Sequence, residues 1–314
     1  MQTEVTTPPA NRIAIVVPAY NAVAHIAETL QSVLAQTHPV DEIVLVDDGS
    51  ADDTAALAAR LHPKIKVVRQ ANAGQCVARQ KGLEATTAEY ILFLDHDDLL
   101  SPDALKVLLA ALLAQPAAAL AYGRAEMWTP GTPESVIPDD LPPPPPGQDL
   151  WNVLLNGNFI RSPGCVLLRR SALVAAGGWE TDMMPGNEDW ELWWRLSEKH
   201  PFVSVPETVL RYRIHLANYS KNPFKMYRSL FDMFGKHQAR WTHDPHRRRR
   251  VVAQEWNCCE CILRDRKREF IAALRQGRLG TAWKQVSLAV RFGPVPFWHR
   301  LRMFGLSRVE ISRS

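Results

Sequence analysis

Short apolar segments alternate with amphipathic ones over the first 125 residues of this 314-residue chain. The apolar segments are rich in Ile, Val and Leu and lack polar alternation, which is typical of strands buried on both faces. They are RIAIVV (12–17), EIVLVD (42–47), IKVV (65–68), YILFLD (90–95) and AAALAY (117–122). The segments between them have apolar residues at helical spacing. This alternation predicts an α/β protein with a mostly parallel central sheet flanked by helices.

The pattern changes twice in the rest of the chain. Residues 129–147, which include a run of prolines, predict a loop that is either a rigid surface excursion or a partner-binding motif. Residues 151–215 return to a helix, strand, helix, strand pattern, and the sequence after residue 220 looks helical and basic. We therefore predict one domain over 1–220, with halves at about 12–125 and 150–220, and a helical appendage over 221–314.

The formal net charge of +4 is unevenly distributed. Residues 221–314 contain 21 Lys+Arg against 7 Asp+Glu, whereas residues 1–220 contain 16 against 26. The arginine density favours an anionic partner, and we expect this region to associate with an anionic membrane surface. A lipid-linked acceptor and simple solvation of an exposed face are the alternatives. Nucleic acid is disfavoured as a partner because the basic runs lack interleaved aromatic residues and a recognition motif.

Two further features concern the cellular compartment. No basic segment followed by an apolar one is present at the N-terminus, and Lys106 and Pro116 interrupt the most hydrophobic window, so neither a signal peptide nor a transmembrane helix is predicted. The five cysteines have no paired spacing, which predicts reduced thiols rather than disulfides or a zinc site. We expect a cytoplasmic protein, either soluble or peripheral at the inner face of the membrane.

Three of the predicted strands end in polar residues, in the segments VVPAYN (16–21), VDDGSADDT (46–54) and LDHDD (94–98). Ligands bind at the carboxyl ends of the strands in such sheets, so we expect the aspartates of these segments to lie close together. Clustered carboxylates repel unless a cation or protons neutralise them, and they suit Mg²⁺ or Mn²⁺ that takes its other ligands from water and substrate phosphates. The aspartates of this predicted cluster are Asp47, Asp48, Asp95, Asp97 and Asp98. A single aspartate of this kind is alternatively a helix N-cap.

Five motifs together resemble those of the family 2 glycosyltransferases. VVPAYN, DDGSADDT, RQANAGQCVARQKGL, LDHDD and GNEDWELWWR occur in the family's order, within residues 12–220. The resemblance implies a GT-A fold, with a Rossmann-like, mostly parallel sheet. It also implies the transfer of a sugar from a nucleotide diphosphate donor to a hydroxyl of a glycan or lipid-linked acceptor, as in polysaccharide or cell-envelope biosynthesis.

The resemblance also implies a metal site. Asp95 and Asp97 match the family's DxD motif, in which Asp97 would bind Mn²⁺ or Mg²⁺ directly and Asp95 would lie nearer the ribose. The middle residue, here His96, varies in the family and need not be a ligand. His215, in a Tyr-Arg-x-His segment, would complete the metal site, and Arg213 would add positive charge at the diphosphate. A surface or core histidine is the alternative for His215.

The other nucleotide-binding positions follow from the same resemblance. Pro18, Ala19 and Tyr20 match the loop that lines the base and ribose. Asp48 matches the carboxylate that reads the uracil or thymine imide, which favours a UDP-sugar, with a dTDP-sugar next. The segment that closes over the nucleotide and diphosphate includes Arg69, Asn72, Gly74 and Arg79.

Glu188 and Asp189 begin a predicted helix directly after a Pro-Gly turn. A carboxylate in the first turn of a helix favours its ionised form, so it can accept a proton near neutral pH. The resemblance assigns the catalytic base to Asp189, and a base opposite the leaving diphosphate implies inversion. A helix carboxylate without catalytic duty is the alternative. Of Trp190, Trp193 and Trp194, we expect at least two in the core and Trp190 towards the acceptor.

Two other classes of protein are less consistent with the sequence. A nucleotidyltransferase typically has a glycine-rich loop with Lys or Arg after its first strand, whereas PAYNAV contains no glycine. An inactive nucleotide-sugar binding protein would be expected to lose carboxylates, yet Asp48, Asp95, Asp97 and Asp189 are all present. The sequence therefore predicts a metal-dependent, inverting glycosyltransferase.

Overall fold

The computed structural model describes residues 11–132, 135–138, 142–145, 147–215 and 218–292. The chain forms two compact units, Met1–Ser229 and Leu230–Ser314. The boundary therefore falls nine residues after the one expected at 220, and it lies within helix α8 (Pro223–Arg240). Helical spacing begins where α8 begins, so the change in sequence pattern precedes the boundary between the units.

The first unit contains all of the strands in the described part of the chain. They are β1 (Ile13–Ala19), β2 (Glu42–Asp47), β3 (Ile65–Arg69), β4 (Tyr90–Phe93), β5 (Leu99–Leu100), β6 (Leu120–Trp128), β7 (Ser135–Val136), β8 (Val166–Arg169) and β9 (Phe202–Arg213). The helices that precede α8 are α1 (Ile26–Leu34), α2 (Thr54–Leu61), α3 (Gln75–Glu84), α4 (Ala104–Ala114), α5 (Leu150–Asn156), α6 (Arg170–Ala175) and α7 (Glu188–Leu196).

The sheet has the strand order β3-β2-β1-β4-β8-β6-β9-β5, and β7 pairs with β6. Strands β3, β2, β1 and β4 are parallel to their neighbours in this set, and β6 and β9 are parallel to each other. Strand β8 is antiparallel to both β4 and β6 and separates them. All five strands predicted in the first 125 residues are present, but periodicity did not indicate that a strand from the second half would lie between two of them.

The core of residues 12–125 is built around β1, in which every residue is buried. Helix α3 packs so closely on this strand that Gly82 has no room for a side chain: a Cβ atom there would lie 2.1 Å from Cγ1 of Val16. Trp193 and Trp194 of α7 are fully buried, as predicted for two of the three tryptophans. Trp179 contacts Phe93 of β4 edge-on, with ring centroids 5.0 Å apart. The ends of β1, β2 and β4 are thus fixed in the sheet before the polar residues that follow them.

The described part of the second unit, up to residue 292, is helical, as expected. Its main elements are α9 (Pro245–Arg275) and α10 (Leu279–Phe292). Helix α9 begins at the N-cap Asp244, whose side chain accepts a hydrogen bond from the Arg247 backbone N–H at 3.0 Å. None of the described helices is both long and apolar enough to span a membrane. All five cysteines lie among the described residues and are free.

Candidate active site

Asp48 organises the loop that follows β3. Its Oδ1 accepts hydrogen bonds from the Gln70 side chain and the Ala73 backbone N–H, both at 2.8 Å. Its Oδ2 accepts one from the Gly74 N–H at 2.9 Å. Asp48 is buried, and these bonds occupy three of about four acceptor positions on a carboxylate. The residue therefore supports the loop as well as occupying the position that the resemblance assigns to base recognition.

Two glycines shape the same loop. Gly74 has a φ of +93°, and no heavy atom lies within 4 Å of the place a Cβ would take, so backbone conformation alone favours glycine there. Gly49 has a φ of +78°, and a Cβ on it would lie only 2.8 Å from the Asn72 backbone nitrogen. Asn72 itself is exposed. The loop thus approaches the end of β2 closely and leaves space beside Gly74.

Residues Pro18 and Ala19 do not belong to a loop, which corrects the expectation from the sequence. They are the last two residues of β1, are buried, and pair with Val46 and Asp47. Parallel pairing with β2 extends the strand to that point. Only Tyr20, with 47% of its surface exposed, follows the strand into solvent.

The aspartate beside Asp48 has a separate partner. Asp47 is fully buried, and its Oδ2 accepts a hydrogen bond from Nε of Arg69 at 2.8 Å. The rest of the Arg69 side chain is largely exposed. Arg69 is therefore held to Asp47 through Nε while most of its side chain remains exposed.

Arg79 bridges two carboxylates from distant parts of the chain. One terminal nitrogen lies 2.7 Å from Oδ1 of Asp95, and the other lies 2.6 Å from Oε1 of Glu188. Only 1% of Arg79 is exposed, and its guanidinium carbon is 4.8 Å from the ring centroid of Trp179. Glu188 is buried as well, and it also accepts hydrogen bonds from the Gln75 side chain and the Gly186 N–H. The bridge ties the segment after β4 to the first turn of α7.

Asp97 and His215 form the other contact across the site. Nε2 of His215 lies 2.7 Å from Oδ2 of Asp97. Between Asp95 and Asp97, the partly buried His96 accepts a hydrogen bond from the Thr29 hydroxyl through its backbone oxygen at 2.9 Å. The carboxylate and imidazole predicted to bind metal are thus adjacent.

Arg213 holds the acidic turn after β4. Its Nε donates to the backbone oxygen of Asp97 at 2.7 Å, and its backbone N–H donates to Oδ1 of Asp98 at 2.9 Å. A terminal nitrogen lies 2.6 Å from Oε2 of Glu28, and the buried guanidinium stacks on Trp128. Arg213 therefore fixes the turn in addition to bringing positive charge to it.

The five aspartates do not form one cluster, which is a second correction. Among the described residues, no group of three or more His, Cys, Asp or Glu side chains is arranged to hold a metal ion. Asp47 and Asp48 are engaged by the loops around β2 and β3, and Asp98 is buried with a raised pKa, caused first by burial and then by Asp97 and Asp95. The peptide N–H and guanidinium partners of these side chains remove the need for a shared cation.

The Asp97 and His215 pair nevertheless fits a divalent cation. Two neighbouring ligands at 2.0–2.1 Å from an octahedral ion stand about 3 Å apart, close to the observed contact. A carboxylate oxygen and an imidazole nitrogen are both ligands for Mn²⁺, and a carboxylate suits Mg²⁺. An ion held by two protein groups would take its remaining ligands from water and a diphosphate.

Sequence reasoning missed two residues at this end of the site. His25 precedes α1, and its ring centroid is 5.5 Å from that of His215. Burial, with smaller contributions from Arg213 and His215, lowers the pKa of His25. Glu28, in the first turn of α1, is the partner of Arg213. Both residues lie in AHIAETL (24–30), where helical spacing predicts a helix but does not indicate that its N-terminal end meets the acidic turn.

Asp189 lies beside the Arg79 bridge, in the first turn of α7. Burial, followed by the negative charge of Glu188, raises the pKa of Asp189 to about 7. Its Oδ1 accepts a hydrogen bond from the Trp190 N–H at 2.7 Å, which opposes that rise. The position of Asp189 at the start of a helix predicts that its carboxylate is ionised. Burial and the charge of Glu188 outweigh the effect of the helix terminus, so the protonated form is favoured below neutral pH.

Trp190 is partly exposed, unlike the two tryptophans after it. Its indole N–H donates to the backbone oxygen of Leu154 in α5 at 2.7 Å. The ring is thereby held between α7 and α5 with part of its surface accessible.

Comparison with known proteins places the chain in a family. The sequence profile of Glycosyl transferase family 2 matches residues 14–175, and the chain belongs to this family. A segment is 36% identical over 125 residues to the putative teichuronic acid biosynthesis glycosyltransferase TuaG of Bacillus subtilis (strain 168), covering 38% of this chain and 50% of TuaG. Another is 34% identical over 106 residues to the uncharacterized glycosyltransferase YibD of Escherichia coli (strain K12), covering 33% and 31%. The matches thus span half or less of these relatives.

Solved structures resemble the fold over most of the chain. S. aureus TarS 1–349 in complex with UDP-GlcNAc has a TM-score of 0.60 at 17% identity, covering 90% of this chain and 92% of that one. The mannosyltransferase PcManGT from Pyrobaculum calidifontis, in complex with GDP-Man and Mn²⁺, has a TM-score of 0.55 at 20% identity, covering 96% and 88%. The family, the GT-A fold and the transferase class predicted from the sequence are thereby confirmed.

Proposed function

We propose that this protein is a metal-dependent, inverting glycosyltransferase that moves a sugar from a nucleoside diphosphate donor to a hydroxyl group of a glycan or lipid-linked acceptor. The observation that carries the proposal is the buried Arg79 bridge. It links Asp95, in the turn expected to bind the donor, to Glu188, the neighbour of the candidate base Asp189. A protein that only bound a nucleotide sugar would not need the second carboxylate site.

The donor would bind at the edge formed by β1, β2 and the loop after β3. Tyr20 is exposed there, and Asp48 retains about one acceptor position after its three hydrogen bonds. That acceptor suits the imide N–H of uracil or thymine, so we favour a UDP-sugar, with a dTDP-sugar next. The UDP-GlcNAc bound to TarS supports this choice, whereas the GDP-Man bound to PcManGT makes GDP the control nucleotide.

Asp97 and His215 would hold Mn²⁺ or Mg²⁺ at the diphosphate. The cation would stabilise the negative charge that develops on the leaving nucleoside diphosphate. The presence of Mn²⁺ in PcManGT supports the assignment. Arg213 keeps the Asp97 backbone in place and adds positive charge near the same position.

Asp189 would be the general base. Its carboxylate takes the proton of the acceptor hydroxyl as the acceptor oxygen bonds to the anomeric carbon. The bond from that carbon to the diphosphate breaks, and its electron pair leaves with the diphosphate. A pKa of about 7 suits proton transfer near neutral pH. Attack on the face opposite the leaving group inverts the anomeric configuration.

The Arg79 bridge would align the two ends of this reaction. Both terminal nitrogens of the buried Arg79 are engaged by carboxylates, so its role would be to position Asp95 and Glu188 rather than to contact the diphosphate as the resemblance implied. Glu188 in turn helps to set the pKa of Asp189. For the acceptor, the similarity to TuaG, named for teichuronic acid biosynthesis, supports a polysaccharide of the cell envelope.

The test is calorimetric titration of the purified protein with UDP, dTDP, GDP and CDP, each with Mn²⁺ and with a chelator. We expect UDP to bind most tightly and only with the metal present. Preference for GDP would retain a glycosyltransferase and change the donor. If none of the four binds to a demonstrably folded sample, the donor site as proposed is wrong.

A further inference from the structure

Four large apolar side chains are exposed where α9 and α10 meet. Ile271 and Leu274 lie in the last turns of α9, with exposed fractions of 38% and 45%. Leu279 and Trp283 lie in the first turns of α10, with exposed fractions of 64% and 72%. We call these four side chains the apolar tip. Several large apolar side chains exposed to water at one place indicate an interaction site.

Helices α9 and α10 form a helical hairpin, and the residues at the contact between them are already packed. Ala273 and Ala282 are buried, and Arg266 donates to the Gln285 side chain across the pair at 2.9 Å. In the connection, Gly277 has a φ of +67° and its N–H donates to Leu274 O at 3.0 Å. The side chains of the apolar tip thus lie on the side of the hairpin that its own packing does not use.

The charged residues of the segment that carries the apolar tip are all basic. Residues 270–292 contain no Asp or Glu, and within this stretch Arg275, Arg278 and Lys284 are exposed. An occupant must therefore combine an apolar interior with negative charge at its surface. Segments that lie in the membrane interface typically combine exposed Trp and Leu with neighbouring Arg and Lys.

We propose that the apolar tip inserts into the headgroup region of an anionic phospholipid bilayer, where Arg275, Arg278 and Lys284 contact lipid phosphates. Each basic residue near such a surface contributes to binding, and the contribution falls with salt. The indole of Trp283 would lie at the level of the headgroups, as tryptophans do at membrane interfaces.

The four-arginine run Arg247–Arg250 is a separate surface. It lies in the first turns of α9, about 37 Å from the last turn at 1.5 Å per residue. The sequence predicts membrane association from the arginine density of the whole region, but exposed apolar side chains accompany basic residues only at the apolar tip among the described residues of α9 and α10. The two surfaces are therefore tested separately.

The test is co-sedimentation of the full chain with phosphatidylcholine vesicles, with and without phosphatidylglycerol, at low and high salt. We expect binding only to the anionic vesicles. Trp283→Ala should weaken it at least about tenfold, and Arg275→Gln with Arg278→Gln should weaken it roughly thirtyfold at low salt. Trp283→Phe should retain most of the binding, which separates lost insertion from a folding defect.

Two matched controls define the site. Leu113→Ala removes a leucine of α4 that is 47% exposed, and Arg248→Gln with Arg249→Gln removes two arginines of the run; we expect both variants to bind normally.

The proposal is overturned if the chain does not bind anionic vesicles, if it binds neutral ones equally well, or if only the Arg248 and Arg249 changes reduce binding. Tip variants that turn a dimer into a monomer without affecting vesicle binding would instead assign the tip to a second copy of the chain. No nucleotide or acceptor is used, so the result does not depend on the proposed function.

Discussion

His215 contacts Asp97 at 2.7 Å although 118 positions separate them in the chain. The contact joins the segment after the last long strand to the acidic turn after β4. If Asp97 and His215 hold the cation as proposed, the diphosphate itself would complete its coordination. Metal binding and donor binding should consequently be coupled.

We expect Asp97→Ala and His215→Ala each to weaken UDP binding in Mn²⁺ by at least about tenfold, since even outer-shell partners of a metal contribute that much. In chelator, neither change should matter. Titration calorimetry with and without Mn²⁺ measures both quantities. Asp103→Ala, an exposed aspartate in the turn before α4, is the control and should bind normally. Equal metal dependence in wild type and variants would remove the pair from the site.

Arg79→Ala should be strongly destabilising because it leaves Asp95 and Glu188 without their shared cation. Breaking a buried ion pair costs about 3–5 kcal/mol of unfolding free energy. Denaturation in urea measures the loss. Arg211→Ala removes the more exposed partner of Glu126, and it should cost only about 1 kcal/mol or less. A similar small loss for both variants would contradict the positioning role of Arg79.

Transfer should accelerate as the pH rises through about 7, because protonated Asp189 cannot accept the acceptor proton. Asp189→Asn should lower transfer by at least about a hundredfold and leave donor binding unchanged. Product assays across pH, with calorimetry of UDP binding, test both statements. Asp53→Asn, at an exposed helix N-cap, is the control. Near-normal transfer by the Asp189 variant would place the base elsewhere.

The raised pKa of Asp189 should also make the free energy of unfolding depend on pH. Its folded-state pKa, about 7, is above its ordinary value, so the folded protein binds the proton more tightly than the unfolded chain. The free energy of unfolding should therefore fall as the pH rises from about 4 to 7, by at most about 4 kcal/mol. Asp189→Asn should flatten this slope in urea denaturation. An unchanged slope would indicate an ordinary pKa for Asp189.

Asp48→Asn separates the two roles of Asp48. If the carboxylate reads an imide N–H, affinity for UDP should fall more than affinity for CDP, because cytosine has no such donor. Loss of a charged acceptor for two backbone N–H groups should also cost about 1–3 kcal/mol of stability. Calorimetry with both nucleotides and urea denaturation measure these effects. An equal loss for UDP and CDP would leave Asp48 with the loop alone.

Much of the fold follows from local patterns in the sequence. The segment EIVLVD coincides with β2, and the remaining early strands and helices lie within a few residues of the predicted positions. Burial on both faces leaves an unmistakable apolar run. The position of β8 between β4 and β6 was not predictable in this way, because strand order depends on packing between segments about 75 residues apart.

Residues of the candidate site that belong to a sequence motif could be predicted. Properties that depend on which side chains become neighbours in the fold could not. The aspartates and His215 were found from their motifs, but the engagement of Arg79 by Glu188 depends on how α3 meets α7. The raised pKa of Asp189 likewise depends on burial that only the folded chain creates. The resemblance places Pro18 and Ala19 in a loop that lines the base and ribose, yet both residues continue to pair with β2.

The antiparallel insertion of β8 has a consequence for biosynthesis. Strand β4 has β1 on one side and acquires its other neighbour only when residues 166–169 have been synthesised. Strand β6 likewise depends on β8 and on β9, which is completed at Arg213. A nascent chain ending near residue 125 would thus expose the unpaired edge of β4, the kind of edge that aggregates. Strands from both sides of the segment 129–147 therefore complete one sheet, and neither side alone supplies all of its own strand neighbours.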